Sequence, residues 1–275
     1  MVDKIKKALS NQSKRSQVRQ NQAQPIPGES NQTQSDPTHP KQAQRNRLPY
    51  QPNKGPRSPF LYLITDRLAF LRSPDITQSD AECSQLDAID IAARAGCQLI
   101  QIREKDMSAK ALESFTLEAI RRARPYGARV LVNDRLDVAL ATGADGVHLR
   151  ATSIPVDAAR EIALKKRLDD FLIGASTHSM VEAKMAEEAG ADFVVCGPVY
   201  YTASKGIYGP PLGLAIFAEI CEKTAIPVLA LGGIKLSNYR EALICGAAGL
   251  AAIGLFTDLD SLESNIRLML NTNRS

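Results

Sequence analysis

The chain is expected to adopt an α/β fold, a (β/α)8 TIM barrel preceded by a disordered N-terminal extension, and three observations carry that expectation. Eight short, nearly continuous apolar runs follow one another from Phe60 onward; helical stretches separate them; and glycines recur where those helices must end. Strands covered on both faces read as unbroken apolar runs, and strands alternating with helices signal a parallel sheet with crossover connections.

The runs are Phe60-Leu-Tyr-Leu-Ile, Leu99-Ile-Gln-Ile, Val130-Leu-Val, Gly146-Val-His-Leu, Phe171-Leu-Ile-Gly-Ala, Phe193-Val-Val-Cys, Pro227-Val-Leu-Ala-Leu and Leu250-Ala-Ala-Ile. Helical patterns fall between them, among them Gln85–Ala95, Ala109–Arg122, Val181–Ala189 and Leu236–Ile244. Gly96, Gly143, Gly190 and Gly246 each stand just before an apolar run, where a helix closes with a left-handed residue. Eight strands within residues 59–275 leave about 27 residues for each βα unit, which suits a closed eight-stranded barrel better than a doubly wound open sheet.

Residues 1–58 read differently. They contain ten Gln, and Tyr50 is their only aromatic. So little apolar surface cannot offset the roughly 1–2 kcal/mol per residue that backbone ordering costs, so a disordered tail is expected. This tail holds eleven Lys/Arg against three Asp/Glu; the whole chain is at +4, which leaves the remainder at −4. The basic balance therefore belongs to the tail, which lacks the interleaved aromatics of a nucleic-acid-binding arm. Two domains follow: a basic Gln/Pro-rich tail at 1–58 and a barrel at 59–275.

No apolar run reaches the ~18 residues of a membrane span, and no apolar segment follows Met1-Val-Asp-Lys-Ile-Lys-Lys as in a secretory signal. The five cysteines (Cys83, Cys97, Cys196, Cys221 and Cys245) are odd in number and form no C-x-x-C pair, consistent with free thiols in a reducing cytosol. A cytoplasmic protein with phosphorylated small molecules as partners, and neither nucleic acid nor membrane, is the expectation.

In such a barrel the chemistry sits at the carboxyl ends of the strands. The second strand ends Gln101-Ile-Arg103-Glu-Lys105-Asp106, and alternation places Gln101, Arg103 and Lys105 on one side as an anion site. The third ends Asn133-Asp134-Arg135, where Asp134 is equally suited to cap the next helix or to hold Mg²⁺. The fifth ends Ser176-Thr-His178-Ser179, with Ser176 and His178 toward the mouth and Ser179 as a candidate N-cap. After the sixth comes a hydroxyl- and Gly-rich loop containing Thr202, Ser204 and Lys205. Gly232-Gly233 and Ile253-Gly254 close the seventh and eighth, where backbone amides commonly cradle phosphate. Two anion sites in one mouth imply two phosphorylated substrates, or a substrate and a product.

Taken in order, Tyr62-Leu-Ile-Thr-Asp66, Gln101-Ile-Arg-Glu-Lys-Asp106, Val132-Asn-Asp-Arg135, Asp145-Gly-Val-His-Leu149, Ser176-Thr-His-Ser179, Gly197-Pro-Val, Thr202-Ala-Ser-Lys205 and Ala230-Leu-Gly-Gly-Ile234 resemble the thiamine phosphate synthase family, which also includes thiazole tautomerase-like members. The resemblance covers about residues 60–256 and none of the tail. It implies a transferase that joins hydroxymethylpyrimidine diphosphate to a thiazole phosphate, releasing pyrophosphate. By the same resemblance Gln101 would contact the pyrimidine; Arg103, Lys105, Asn133 and Lys205 the diphosphate; and Asp134 would hold Mg²⁺. Ser176 would lie near the pyrimidine diphosphate, with Thr202, Ser204, Gly233, Ile253 and Gly254 around the thiazole phosphate.

Two departures stand out. Family synthases continue the fourth strand as His-Leu-Gly-Gln-x-Asp, whose Asp is the second Mg²⁺ ligand; here Arg150-Ala-Thr-Ser153 follows His148-Leu149, so Mg²⁺ would rest on one carboxylate plus waters and substrate oxygens. The Ser usual after strand 8 is Gly254. The alternatives to a synthase are a tautomerase-like enzyme without pyrophosphate chemistry and a non-catalytic phosphate-metabolite binding protein. A tautomerase has no evident use for the full diphosphate set of Gln101, Arg103, Lys105, Asn133, Asp134 and Lys205.

Overall fold

A computed structural model describes residues 59–71, 75–202 and 210–271. The expected disordered tail at 1–58, and the candidate residues Ser204 and Lys205, lie outside the described residues. Eight parallel strands close into a barrel in chain order: β1 (Phe60–Ile64), β2 (Leu99–Ile102), β3 (Arg129–Asn133), β4 (Gly146–Leu149), β5 (Leu172–Thr177), β6 (Phe193–Cys196), β7 (Val228–Leu231) and β8 (Gly249–Ala252). The ring closes where β1 pairs with β8 in the register Tyr62↔Ala251.

The described helices are α1 (Gln78–Ala95), α2 (Ala109–Ala123), α3 (Leu136–Thr142), α4 (Val156–Lys165), α5 (Met180–Glu188), α6 (Gly213–Lys223), α7 (Tyr239–Ile244) and α8 (Leu259–Leu270). They cover the outer faces of the strands. α1 begins seven residues before the predicted start at Gln85, because Thr77 and Asp80 form a reciprocal capping box. The segment from Gln78 to Ser84 is mostly polar, so no apolar stripe announces this first part of the helix. The glycines expected to end helices all adopt positive φ.

Strand alternation divides the core in two. Leu61, Leu63, Ile100, Val130, Val132 and Val147 point outward and pack under the helices. Phe60, Tyr62, Leu99, Leu131, Leu172, Phe193 and Leu229 point inward and fill the barrel. Burying one such side chain contributes roughly 1.5–3 kcal/mol before entropy is counted. Gly174 makes room within the barrel: a Cβ there would lie 2.5 Å from the Phe193 ring and 2.8 Å from Nδ1 of His148.

The amino-terminal end of the barrel is stitched by a recurring side-chain contact. Gln98, just before β2, accepts the backbone N–H of Leu61 at 2.9 Å. Asp145, just before β4, accepts that of Val130 at 2.8 Å, and Asp192, before β6, accepts that of Ile173 at 2.7 Å. Arg160 reinforces the third stitch by pairing with Asp192 and donating to the carbonyls of Phe171 and Gly190.

All five cysteines are free; Cys97, Cys196 and Cys221 are buried, Cys245 is half-buried and Cys83 is exposed. Among the described residues, no helix is long and apolar enough to cross a membrane.

Candidate active site

The acidic and basic residues that alternate after β2 face different neighbours. Arg67, in the short 3₁₀ turn Arg67–Phe70 after β1, has a buried side chain. Its guanidinium donates to Glu104 Oε2 at 3.0 Å and to both carboxylate oxygens of Asp106 at 2.7 Å. Its backbone N–H also reaches the Glu104 carboxylate. Thr65 Oγ1 accepts the Arg103 N–H at 2.8 Å. With both acids and the backbone held from below, the half-buried Arg103 and exposed Lys105 are left at the rim. The neighbouring charge of Arg103 lowers the Lys105 ammonium from its ordinary value; partial burial and Arg150 act in the same direction, while Asp66 opposes them. Arg103, Lys105 and Arg150 therefore share one electrostatic field.

Beneath these cations lies a polar layer within the apolar barrel. Gln101 Nε2 donates to the Tyr62 hydroxyl at 3.1 Å, and both residues are buried. His148 Nε2 and Ser176 Oγ lie 2.9 Å apart. The Tyr62 and His148 rings lie 5.7 Å apart, and Phe193 meets the Tyr62 ring edge-on at 5.5 Å. Burial, with a smaller contribution from the Arg103 charge, pushes the His148 imidazole down to about 3, so the ring is neutral near pH 7. Its Nδ1 is buried and has no hydrogen-bond partner among the described residues.

The ends of β3 and β4 are joined through Asp134, which holds a left-handed backbone, φ 67°. The Arg150 guanidinium donates to Asp134 Oδ2 and the Ser153 hydroxyl to Oδ1, both at short range. Ser153 Oγ also accepts the Arg150 N–H at 2.8 Å, closing a tight turn. Partial burial opposes ionisation of Asp134, but the bonds from Ser153 and Arg150 and the Arg150 charge outweigh it, so the carboxyl lies below the usual carboxylate range. Asp134 does not cap α3: Arg135 occupies the N-cap position and no side-chain cap bond forms.

Across the mouth, Gly232 and Gly233 both adopt positive φ and pass close under the backbone after β6. A Cβ on Gly233 would lie 2.7 Å from Tyr200 Cβ and 2.8 Å from the Tyr201 carbonyl. Asn238 holds this turn by donating to the Gly233 carbonyl at 3.0 Å and accepting the Lys235 N–H at 2.8 Å. Ile253 and Gly254 follow β8 and open the 3₁₀ turn Gly254–Phe256.

The strand ends thus bring Arg103, Lys105, Asn133, Asp134 and Ser176 to the carboxyl side of β2, β3 and β5, above Gln101. Gly233, Ile253 and Gly254 lie at the corresponding ends of β7 and β8, and half-buried Thr202 follows β6. His178 is exposed, with Nδ1 against the Gly197 carbonyl, and Ser179 is the N-cap of α5. Arg67, Tyr62 and His148 are functional-site residues that the local sequence pattern does not single out. A signal for His148 was present: it is the one polar inward position of β4, two residues after inward-facing Gly146. Arg67 gave none, because its partners are 37 and 39 residues away.

A closed (β/α)8 barrel whose carboxyl rim gathers cations over a buried polar floor belongs to the class of barrel enzymes that handle phosphorylated small molecules. More narrowly, the chain belongs to the thiamine monophosphate synthase family, whose model matches residues 62–256. It is 38% identical over 211 residues to a thiamine-phosphate synthase of Clostridium novyi, covering 77% of this chain and 97% of that protein. It is 39% identical over 193 residues to a thiamine-phosphate synthase of Methanospirillum hungatei, covering 70% and 87%. A solved structure, thiamine phosphate pyrophosphorylase from Pyrococcus furiosus, superposes with a TM-score of 0.65 at 32% identity, covering 78% of this chain and 95% of that one.

Proposed function

We propose that this chain is a transferase that forms thiamine phosphate from hydroxymethylpyrimidine diphosphate and a thiazole phosphate. The observation that carries this reading is the rim itself: Arg103 and Lys105 are freed for an anion because Arg67 takes both neighbouring acids.

In the reaction, the C–O bond between the pyrimidine methylene and the diphosphate breaks, and both bonding electrons leave with pyrophosphate. The thiazole nitrogen lone pair then forms the C–N bond. Arg103 and Lys105 oppose the charge that develops on the departing oxygens, which is the largest contribution a protein can make to such a step. Gln101 and Ser176 line the pyrimidine side, Asn133 joins Arg103 and Lys105 at the diphosphate, and the neutral His148 with Tyr62 forms a dry floor that adds no charge near the cationic methylene. The amides around Gly233 and Ile253-Gly254, with Thr202, receive the thiazole phosphate and align its nitrogen. By the family resemblance, Lys205 belongs with the diphosphate and Ser204 with the thiazole phosphate.

Mg²⁺ use is typical of this family. In this chain the carboxylate suited to it is Asp134, and both of its oxygens already accept hydrogen bonds from Arg150 and Ser153. Among the described residues no cluster of three or more His, Cys, Asp or Glu could hold a metal ion. With a single carboxylate already paired to the Arg150 guanidinium, whose charge opposes a second cation, these side chains as they stand do not fit a dication.

Purified protein given both phosphorylated substrates should release pyrophosphate and thiamine phosphate in equal amounts. Isomerisation of the thiazole alone, with no pyrophosphate, would replace this reading by the tautomerase one. The body at 59–275 is assigned the whole reaction in the cytoplasm, and a chain lacking 1–58 should turn over at the full rate.

A further inference from the structure

The turn after β4 offers a feature that the reaction above does not use. Arg150 is about two-fifths exposed, and among the described residues Asp134 is its one ion-pair partner. A guanidinium carries five N–H donors, and only one is directed at the Asp134 carboxylate, so most of its phosphate-binding capacity remains. The group is also fixed in place. Its backbone N–H is held by Ser153 Oγ, the Ser153 N–H returns to the Arg150 carbonyl at 2.9 Å, and the Ser153 hydroxyl bonds to the same Asp134 carboxylate. Asp134 itself adopts a left-handed backbone, φ 67°, a strained choice for a residue with a Cβ that must be sustained by its surroundings. A side chain this firmly positioned, beside Arg103 and Lys105, is not a stray surface charge.

We propose that Arg150, braced on Asp134 and Ser153, supplies at the β4 end the positive charge that a divalent cation would supply there, so that this chain binds the diphosphate group without a metal. The proposal rests on the synthase reading for its choice of anion. Its physical basis is that a guanidinium and a hydroxyl on the two oxygens of Asp134 compete with a dication for the same lone pairs, and the guanidinium charge beside them repels a second cation. A planar guanidinium matches two phosphate oxygens at once.

The test uses the full chain and pyrophosphate itself as probe, with binding measured by titration calorimetry in excess EDTA and again in Mg²⁺. Wild type should bind pyrophosphate in EDTA, with an affinity within about twofold of that in Mg²⁺. Arg150→Gln should lose at least about tenfold in EDTA, the loss expected for one charge-assisted contact, and recover part of it in Mg²⁺ because Asp134 is released. Arg150→Gly/Ser153→Asp, which restores a second carboxylate, should acquire a bound Mn²⁺ signal by electron paramagnetic resonance that wild type lacks. A wild type that needs Mg²⁺ for tenfold or more of its pyrophosphate affinity, or an Arg150→Gln variant that binds as wild type in EDTA, overturns the proposal. These readouts need no turnover. A failure of the synthase reading would instead appear as absent thiamine phosphate while pyrophosphate binding is measured separately.

Discussion

Arg67 and Asp106 are joined by two parallel hydrogen bonds of 2.7 Å, a fork-to-carboxylate match across 39 residues of sequence. The same guanidinium holds the buried Glu104. This pairing explains how a segment that alternates cation and acid presents only its cations to the mouth.

Replacing Arg67 by Ala should therefore be costly for both stability and chemistry. It strands the Glu104 carboxylate in the interior, and breaking a buried pair in this way costs about 3–5 kcal/mol. Urea unfolding should show that loss, and kcat/KM should fall because Arg103 and Lys105 lose their support. Arg67→Ala that unfolds with the wild-type midpoint would remove Arg67 from this role.

Arg103→Ala and Lys105→Ala act on the reaction directly. Each should lower kcat about 10²-fold, the usual loss of one preorganised charge partner in a transition state, while leaving the unfolding midpoint nearly unchanged. Steady-state kinetics with saturating thiazole phosphate measures this. Full turnover in either variant would relocate the anion site.

His148 predicts a pH dependence of stability. Its folded value of about 3 lies below the ordinary 6.5, so between these values the unfolded chain binds a proton that the folded chain refuses. Stability from this group is intact above pH 6.5 and declines as pH falls, by about 1.4 kcal/mol per unit within the window. His148→Asn should flatten that part of the curve. Unfolding free energies at roughly pH 7 and pH 5, compared between wild type and variant, give the measurement; equal slopes would mean that His148 is not the group responsible.

The two glycine turns should respond in opposite ways. Gly233→Ala forces a Cβ to 2.7 Å from Tyr200 at φ +67°, which should cost about 1–3 kcal/mol and raise KM for the thiazole phosphate. Gly254→Ala meets no atom within 4 Å, so its stability should hold or rise by up to about 1 kcal/mol. Thermal unfolding of the two variants side by side reads the contrast.

The barrel was legible because its strands are buried on both faces, so their apolar runs needed no tertiary information, and the helix-ending glycines marked the repeats. Alternation alone set Gln101 on the inward face of β2 and carried Arg103 and Lys105 to the segment just beyond its carboxyl end. What local pattern could not reveal were contacts that close over long sequence gaps: Arg67 with Glu104 and Asp106, and His148 with Ser176, 28 residues apart. Asp134 is the most instructive case. Cap and metal ligand were the open alternatives from its neighbours in sequence, yet the structure gives its carboxylate to Arg150 and Ser153, whose identity as partners depends on how the β3 and β4 ends meet.

The stitches of Gln98, Asp145 and Asp192 all lie at the end of the barrel remote from the mouth. A share of the barrel's cohesion is thereby set at the pole opposite its reactivity. Loops of the crown that carry no buried pair or tight glycine turn can be rewritten by drift or by a protein engineer while the staves stay joined at the base.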